Sequence, residues 1–167
     1  MTELTAERLR QVVRYEPETG YFYWRVKPPH SRVVVGGRAG FRDRTRGYWL
    51  MSVGHVSYLG HRLAWLYVHG QWPSKQIDHK NRDRADNRLC NLREADFSQQ
   101  QANRLPLGKF GVKGVCYRPK NTRRPWVAFI QIKERYTYLG CFAKQEDAAA
   151  AYKAAAEKHH GEFARVA

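Results

Sequence analysis

The stretch Ile77-Asp78-His79-Lys80-Asn81, carried on to Asp86-Asn87-Arg88-Leu89-Cys90-Asn91-Leu92-Arg93, constrains the fold more than any other. Lys80-Asn81-Arg82-Asp83 reads as a turn, and Asp86 and Asn87 as residues that fix a loop through side-chain to backbone hydrogen bonds. A strand therefore ends near His79. Successive strand residues point to opposite faces, so Asp78 and His79 can serve one ligand only where the strand ends or twists. The rest of the chain has to deliver an acid and an imidazole at that point.

The partner follows from charge. Thirty Lys and Arg face fifteen Asp and Glu in 167 residues, a net charge of +15. Such a balance calls for a polyanion, nucleic acid before membrane. No apolar run approaches the length of a transmembrane helix, and the polar Met1-Thr2-Glu3-Leu4-Thr5 is not a signal peptide. Cys90, Cys116 and Cys141 form no C-x-x-C pair and are expected as small buried residues in a reducing cytoplasm.

Along the chain, residues 5–14 read as a helix capped by Thr5, Pro17-Glu18-Thr19-Gly20 as a turn and Tyr21–Trp24 as a strand. Residues 25–47 read as irregular; Arg38, Arg42, Arg44 and Arg46 there are phosphate contacts or a solvated basic loop. A hairpin about Gly54-His55 and a helix 61–69 stopped by Gly70 follow. On chemistry alone His61 is a packed or hydrogen-bonding histidine rather than a ligand. Ser98 with Gln101 has the capping-box pattern of a helix start, and 104–113 reads as a linker. Three strands then precede an Ala-rich helix over 145–160 that stops at Gly161. Residues 104–143 hold nine Lys and Arg against one acid, while 144–167 hold four of each, so the sheet is basic and its helix neutral.

The Asp78-His79 pair, the Asn-Leu-Arg run at 91–93 and the upstream His61-Arg62-Leu63 resemble the HNH (His-Me finger) signature of phage and intron endonucleases. The resemblance implies a ββα-metal fold that hydrolyses DNA. His79 would take a proton from water, as a histidine near its unperturbed pKa can. Asp78 would hold a divalent metal, Mg²⁺ or Mn²⁺, and Asn91 would orient the imidazole. The family's second metal ligand falls at Gln100, where Asn or His is usual; Asn103, one turn on, is the alternative.

Val115, Trp126–Ile132 and Tyr138–Phe142 resemble the Apetala-two/ethylene-response-factor DNA-binding domain. That likeness implies a three-stranded sheet on the major groove. Its DNA-facing positions would be Lys113, Arg118, Lys120, Arg123, Arg124, Gln131, Lys133, Tyr136 and Tyr138. Strand alternation turns Trp126, Ala128, Ile130 and Ile132 toward the helix and Val127, Phe129, Gln131 and Lys133 outward. Cys116, Gln131, Tyr136 and Tyr138 depart from the plant residues, so the plant target sequence does not transfer.

The expected fold is α+β: a ββα-metal nuclease domain over 1–104, then a three-stranded antiparallel sheet packed on one helix over 105–167. The expected partner is double-stranded DNA, with no membrane or small-molecule substrate, and the chain a monomer or weak dimer. The alternative is a DNA-binding regulator whose nuclease centre has decayed, with RNA binding a third reading.

Overall fold

The structure, a computed structural model, describes residues 3–29, 31–103, 111–132 and 135–164. The chain separates into two compact units, residues 1–94 and 95–167.

In the first unit, helix α1 (Ala6–Val12) starts where the Thr5 hydroxyl accepts the Arg8 N–H at 3.2 Å. It stops at Val12, short of the expected 14, because Val13 to Glu16 form strand β1, paired antiparallel with β2 (Tyr21–Trp24). The β-branched Val12-Val13 pair favours that switch. Strands β3 (Phe41–Arg42), β4 (Trp49–Val53) and β5 (Val56–Leu59) form an antiparallel sheet, β3 lying inside the stretch expected to be irregular. Gly54 takes positive φ (64°) at the first position of the β4–β5 turn, as expected there.

Helix α2 (Gly60–His69) follows, closed by left-handed Gly70. Arg10 of α1 donates Nε (3.0 Å) and Nη2 (2.6 Å) to the Tyr67 carbonyl in the last turn of α2. Leu9, Val13, Phe22, Met51, Leu63 and Leu66 fill the core between these elements. Strand β6 (Gln76–His79) pairs with β7 (Leu92–Ala95), and a short 3₁₀ turn (Leu89–Asn91) leads into β7.

In the second unit, helix α3 (Phe97–Asn103) begins earlier than Ser98. Asp96 caps it: Gln99 N–H donates to Asp96 Oδ1 and Asp96 N–H to Gln99 Oε1, both at 2.8 Å. The two bonds are reciprocal, as in a capping box, and the carboxylate also suits the positive end of the helix dipole. Strands β8 (Val115–Tyr117), β9 (Trp126–Ile132) and β10 (Arg135–Phe142) form an antiparallel sheet in the order β10-β9-β8. Helix α4 (Gln145–His160) packs Ala148, Tyr152 and Ala156 on Val115, Ala128 and Ile130.

Val127, expected outward, is only 1 % exposed; it sits on the central strand with Cys116 and Cys141 beside it in register. The cysteines are free thiols, but none is buried: Cys90 is exposed and the other two half-exposed. Most of the expected linker, and Lys133, lie outside the described residues. No helix among the described residues is long and apolar enough to cross a membrane.

Candidate active site

Alternation along β6 buries Ile77 in the core and sends Asp78 and His79 to different partners. The strand ends at His79. Arg82 N–H donates to the His79 carbonyl at 2.9 Å, and Arg82 takes φ 68°, the one positive φ among described non-glycine residues. The turn is held by its own side chains. Asn81 Oδ1 accepts the Asp83 N–H (2.9 Å), Asp83 Oδ1 the Ala85 N–H (3.0 Å) and Asp86 Oδ1 the Arg88 N–H (3.2 Å). Arg88 donates to both Asp86 oxygens, at 2.9 and 2.7 Å, and this pairing holds the Asp86 carboxyl below its usual range.

Asn91 closes the loop from below. Its Nδ2 donates to Asn81 Oδ1 (3.0 Å) and the Asp86 carbonyl (2.9 Å), and its Oδ1 accepts the Asn81 N–H (3.0 Å). Both amide hydrogens are thereby used on the loop. The amide set against the imidazole is Asn87, whose Oδ1 lies 3.5 Å from His79 Nε2. Asn87 is 1 % exposed, and Tyr15 Oη donates to its carbonyl at 2.7 Å. Two glycines admit it: a Cβ at Gly20 would lie 2.6 Å from the Asn87 carbonyl carbon, and one at Gly60 would lie 2.7 Å from Asn87 Nδ2. The Asn-x-x-x-Asn spacing was the signal for Asn87, but it cannot say which amide turns inward.

His79 is 5 % exposed and shares its pocket with residues the motif does not include. His61 stands edge-on to it, 5.0 Å between centroids at 88°, and the Tyr48 ring lies 5.3 Å from His61 and 6.2 Å from His79. Arg84 covers Tyr48 at 4.9 Å and donates to the Arg46 carbonyl at 3.0 Å. His61 is packed, as its chemistry suggested; its Nδ1 has no hydrogen-bond partner among the described residues, nor has Asn87 Nδ2.

Burial lowers the His61 pKa to about 3, with the neighbouring His79 and Arg62 adding to the effect. Burial also holds His79 below its ordinary 6.5, against the opposing pull of Asn87, Asp78, Asp86 and Asp83. Both rings are neutral at pH 7. An amide oxygen only accepts, so Nε2 of His79 carries its hydrogen toward Asn87 and the basic lone pair lies on Nδ1.

Asp78 faces Arg93 on β7, whose Nε and Nη2 each lie 3.0 Å from Oδ2; both side chains are nearly buried. Among the described residues no three His, Cys, Asp or Glu side chains converge to form a metal cage. Ions such as Mg²⁺ bind through one or two carboxylates, with water and substrate phosphate completing the shell. A single carboxylate such as Asp78 suits that chemistry, not a thiolate or imidazole cage. Gln100 and Asn103 stand on α3, in the second unit.

The sheet residues separate into two groups. Lys113 is taken up by α3, donating to the Gln101 carbonyl and, at 2.6 Å, to the Ala102 carbonyl. Its positive charge suits a helix C-terminus, and it does not join the outer face. Arg118, Lys120, Arg123 and Arg124 are exposed on and beside the β8–β9 loop. Gln131 pairs with Tyr136 and Phe129 with Tyr138, one outer patch on which the Arg118 guanidinium lies 5.6 Å from the Phe129 centroid.

The search of curated proteins and that of solved structures returned no match. Residues 58–102, from the end of β5 through α2, β6 and β7 into α3, match the family model described as HNH endonuclease, and this match supports a nuclease.

Proposed function

We propose that the chain is a metal-dependent DNA endonuclease, nicking or cutting both strands, in which His79 Nδ1 takes the proton of the attacking water. The observation that carries this is a buried, neutral imidazole at a strand end, set on Asn87 by Nε2 and flanked by Asp78. Positioned general bases contribute about 10²–10⁴ in rate, and a base that is neutral at pH 7 is ready without prior deprotonation. Asp78 would hold the divalent ion, which when bound supplies the Lewis acid for the scissile phosphate. Gln100 is the proposed second ligand, with Asn103 as alternative. Asn91 and the Asx turns it joins keep the loop from drifting, and Asn87 keeps the ring in one tautomer. Arg118, Lys120, Arg123 and Arg124 hold DNA phosphates.

The Asp78–Arg93 pair also supports a rival, a DNA-binding protein that no longer cleaves, since an ion must share that carboxylate with a guanidinium. Plasmid nicking separates the two. The endonuclease nicks with Mg²⁺ or Mn²⁺, stops in EDTA and loses about 10²-fold or more in His79→Ala with DNA affinity kept. If Gln100 binds the ion, Gln100→Asn raises the Mg²⁺ rate relative to Mn²⁺. Absence of nicking with either metal would establish the rival.

A further inference from the structure

We propose that the outer face of the C-terminal sheet stacks unpaired bases of a DNA strand, with Tyr136 and Tyr138 as the platform and the β8–β9 loop on the phosphates. This rests on the DNA reading above and narrows it to substrates with unpaired nucleotides beside or within a duplex.

Tyr136 and Tyr138 are 77 % and 56 % exposed. They occupy alternate positions of β10, an edge strand, so both rings project from the same face. Phe129, 5.6 Å from the Tyr138 ring, and Arg118 continue the patch across β9. Exposed aromatic surface of this kind marks a binding site more often than it marks solvated packing.

The chemistry of the patch decides between paired and unpaired DNA. Grooves of a duplex present base edges, sugars and phosphates, while the π-faces lie inside the stack. Two tyrosines laid on a groove would meet few apolar partners. Residues two apart on a strand are about 6.7 Å apart, roughly twice the 3.4 Å rise per base of a DNA strand. Backbone positions so spaced match the thickness of one base between two side chains, and a base can enter there only after leaving its own stack. Base–aromatic stacking tolerates any sequence, which suits a face carrying Tyr136, Tyr138 and Gln131. The charge complements a single strand: Arg118, Lys120, Arg123 and Arg124 adjoin the patch, and no acid occurs between Gly111 and Ile132.

The test uses the full-length His79→Ala chain in EDTA, so that nothing is cut, with labelled oligonucleotides read by fluorescence anisotropy at one salt concentration. The probes are a mixed-sequence DNA strand, its duplex, the duplex with a central unpaired bubble, and the RNA strand of the same sequence. The strand and bubble should bind more tightly than the duplex. Tyr136→Ala and Tyr138→Ala should each weaken strand and bubble binding roughly tenfold and duplex binding by less than about twofold. Tyr136→Phe, which keeps the ring, should bind as the parent does. Equal losses on duplex and strand, or no loss on either, would overturn the stacking platform and leave the nuclease reading intact. Tighter binding of the RNA strand would overturn the assignment to DNA. Failure to bind any probe would overturn the DNA reading itself.

Discussion

Gly60→Ala tests whether Asn87 governs the imidazole. Gly60 opens α2, and replacing glycine by alanine in a helix ordinarily gains up to about 1 kcal/mol. Here the new methyl would lie 2.7 Å from Asn87 Nδ2 and 3.1 Å from Trp49 Cβ, inside the roughly 3.5–4.0 Å of optimal contact. Relief has to come from Asn87, because its amide is the nearest group. Overpacking of this kind costs about 1–3 kcal/mol, so the net effect on stability is a loss of about 1 kcal/mol. The effect on rate should be larger. The contact from Asn87 Oδ1 to His79 Nε2 is already 3.5 Å, and any retreat breaks it. Losing such an orienting partner costs roughly ten- to a hundredfold. Thermal melts together with single-turnover nicking of supercoiled plasmid read both quantities. Gly70→Ala is the control: its φ of 77° strains an alanine, but no atom lies within 4 Å of the new Cβ, so it should lose about 1–2 kcal/mol of stability and keep its rate. A Gly60→Ala protein that melts higher and nicks at the parent rate would refute the role given to Asn87.

Stability should fall as the solution is acidified. His61 is neutral in the folded protein down to about pH 3 and protonates near 6.5 when unfolded, so its contribution is present above 6.5 and is lost at roughly 1.4 kcal/mol per pH unit below it; urea midpoints from pH 7 to 5 should show this slope, reduced in His61→Gln. The cleavage rate, governed by His79, should have its acid-side midpoint below 6.5, and a midpoint above 7 would contradict the burial of its imidazole. Arg93→Leu removes the guanidinium paired with the nearly buried Asp78 carboxylate and should cost about 3–5 kcal/mol in a denaturant titration, whereas Arg14→Leu, from an exposed pair, should cost less than about 1 kcal/mol. Lys113→Met should lower stability by about 1 kcal/mol without changing the salt slope of DNA binding, while Arg124→Ala should reduce that slope by about one and leave the melt unchanged.

The sequence by itself determined what local chemistry determines. Thr5, Gly54, Gly70 and Gly161 end or start elements within a few residues of themselves, and each lies where its side chain or lack of one requires. The Asp, Asn and Arg residues after His79 fold their own loop through bonds spanning two to ten residues, which is why the turn at 80–83 was legible. The basic sheet and the Ala-rich helix were legible from alternation and charge. Even local rules left a choice open: Asp96 with Gln99 and Ser98 with Gln101 both have capping-box spacing, and the Asp96–Gln99 pair forms at the start of α3.

Tertiary structure alone decided which amide meets the imidazole. Asn87 and Asn91 are chemically alike, and the choice between them was made by Tyr15, Gly20 and Gly60, far away along the chain. The same holds for His61 and Tyr48 beside His79, for Arg93 on Asp78, and for Lys113, which its position marked for DNA and a helix end captured instead. Each is a buried or half-buried polar group that must find a partner once water is excluded. Which partner lies within reach is settled by the packing of whole elements, and no short window of sequence contains that geometry.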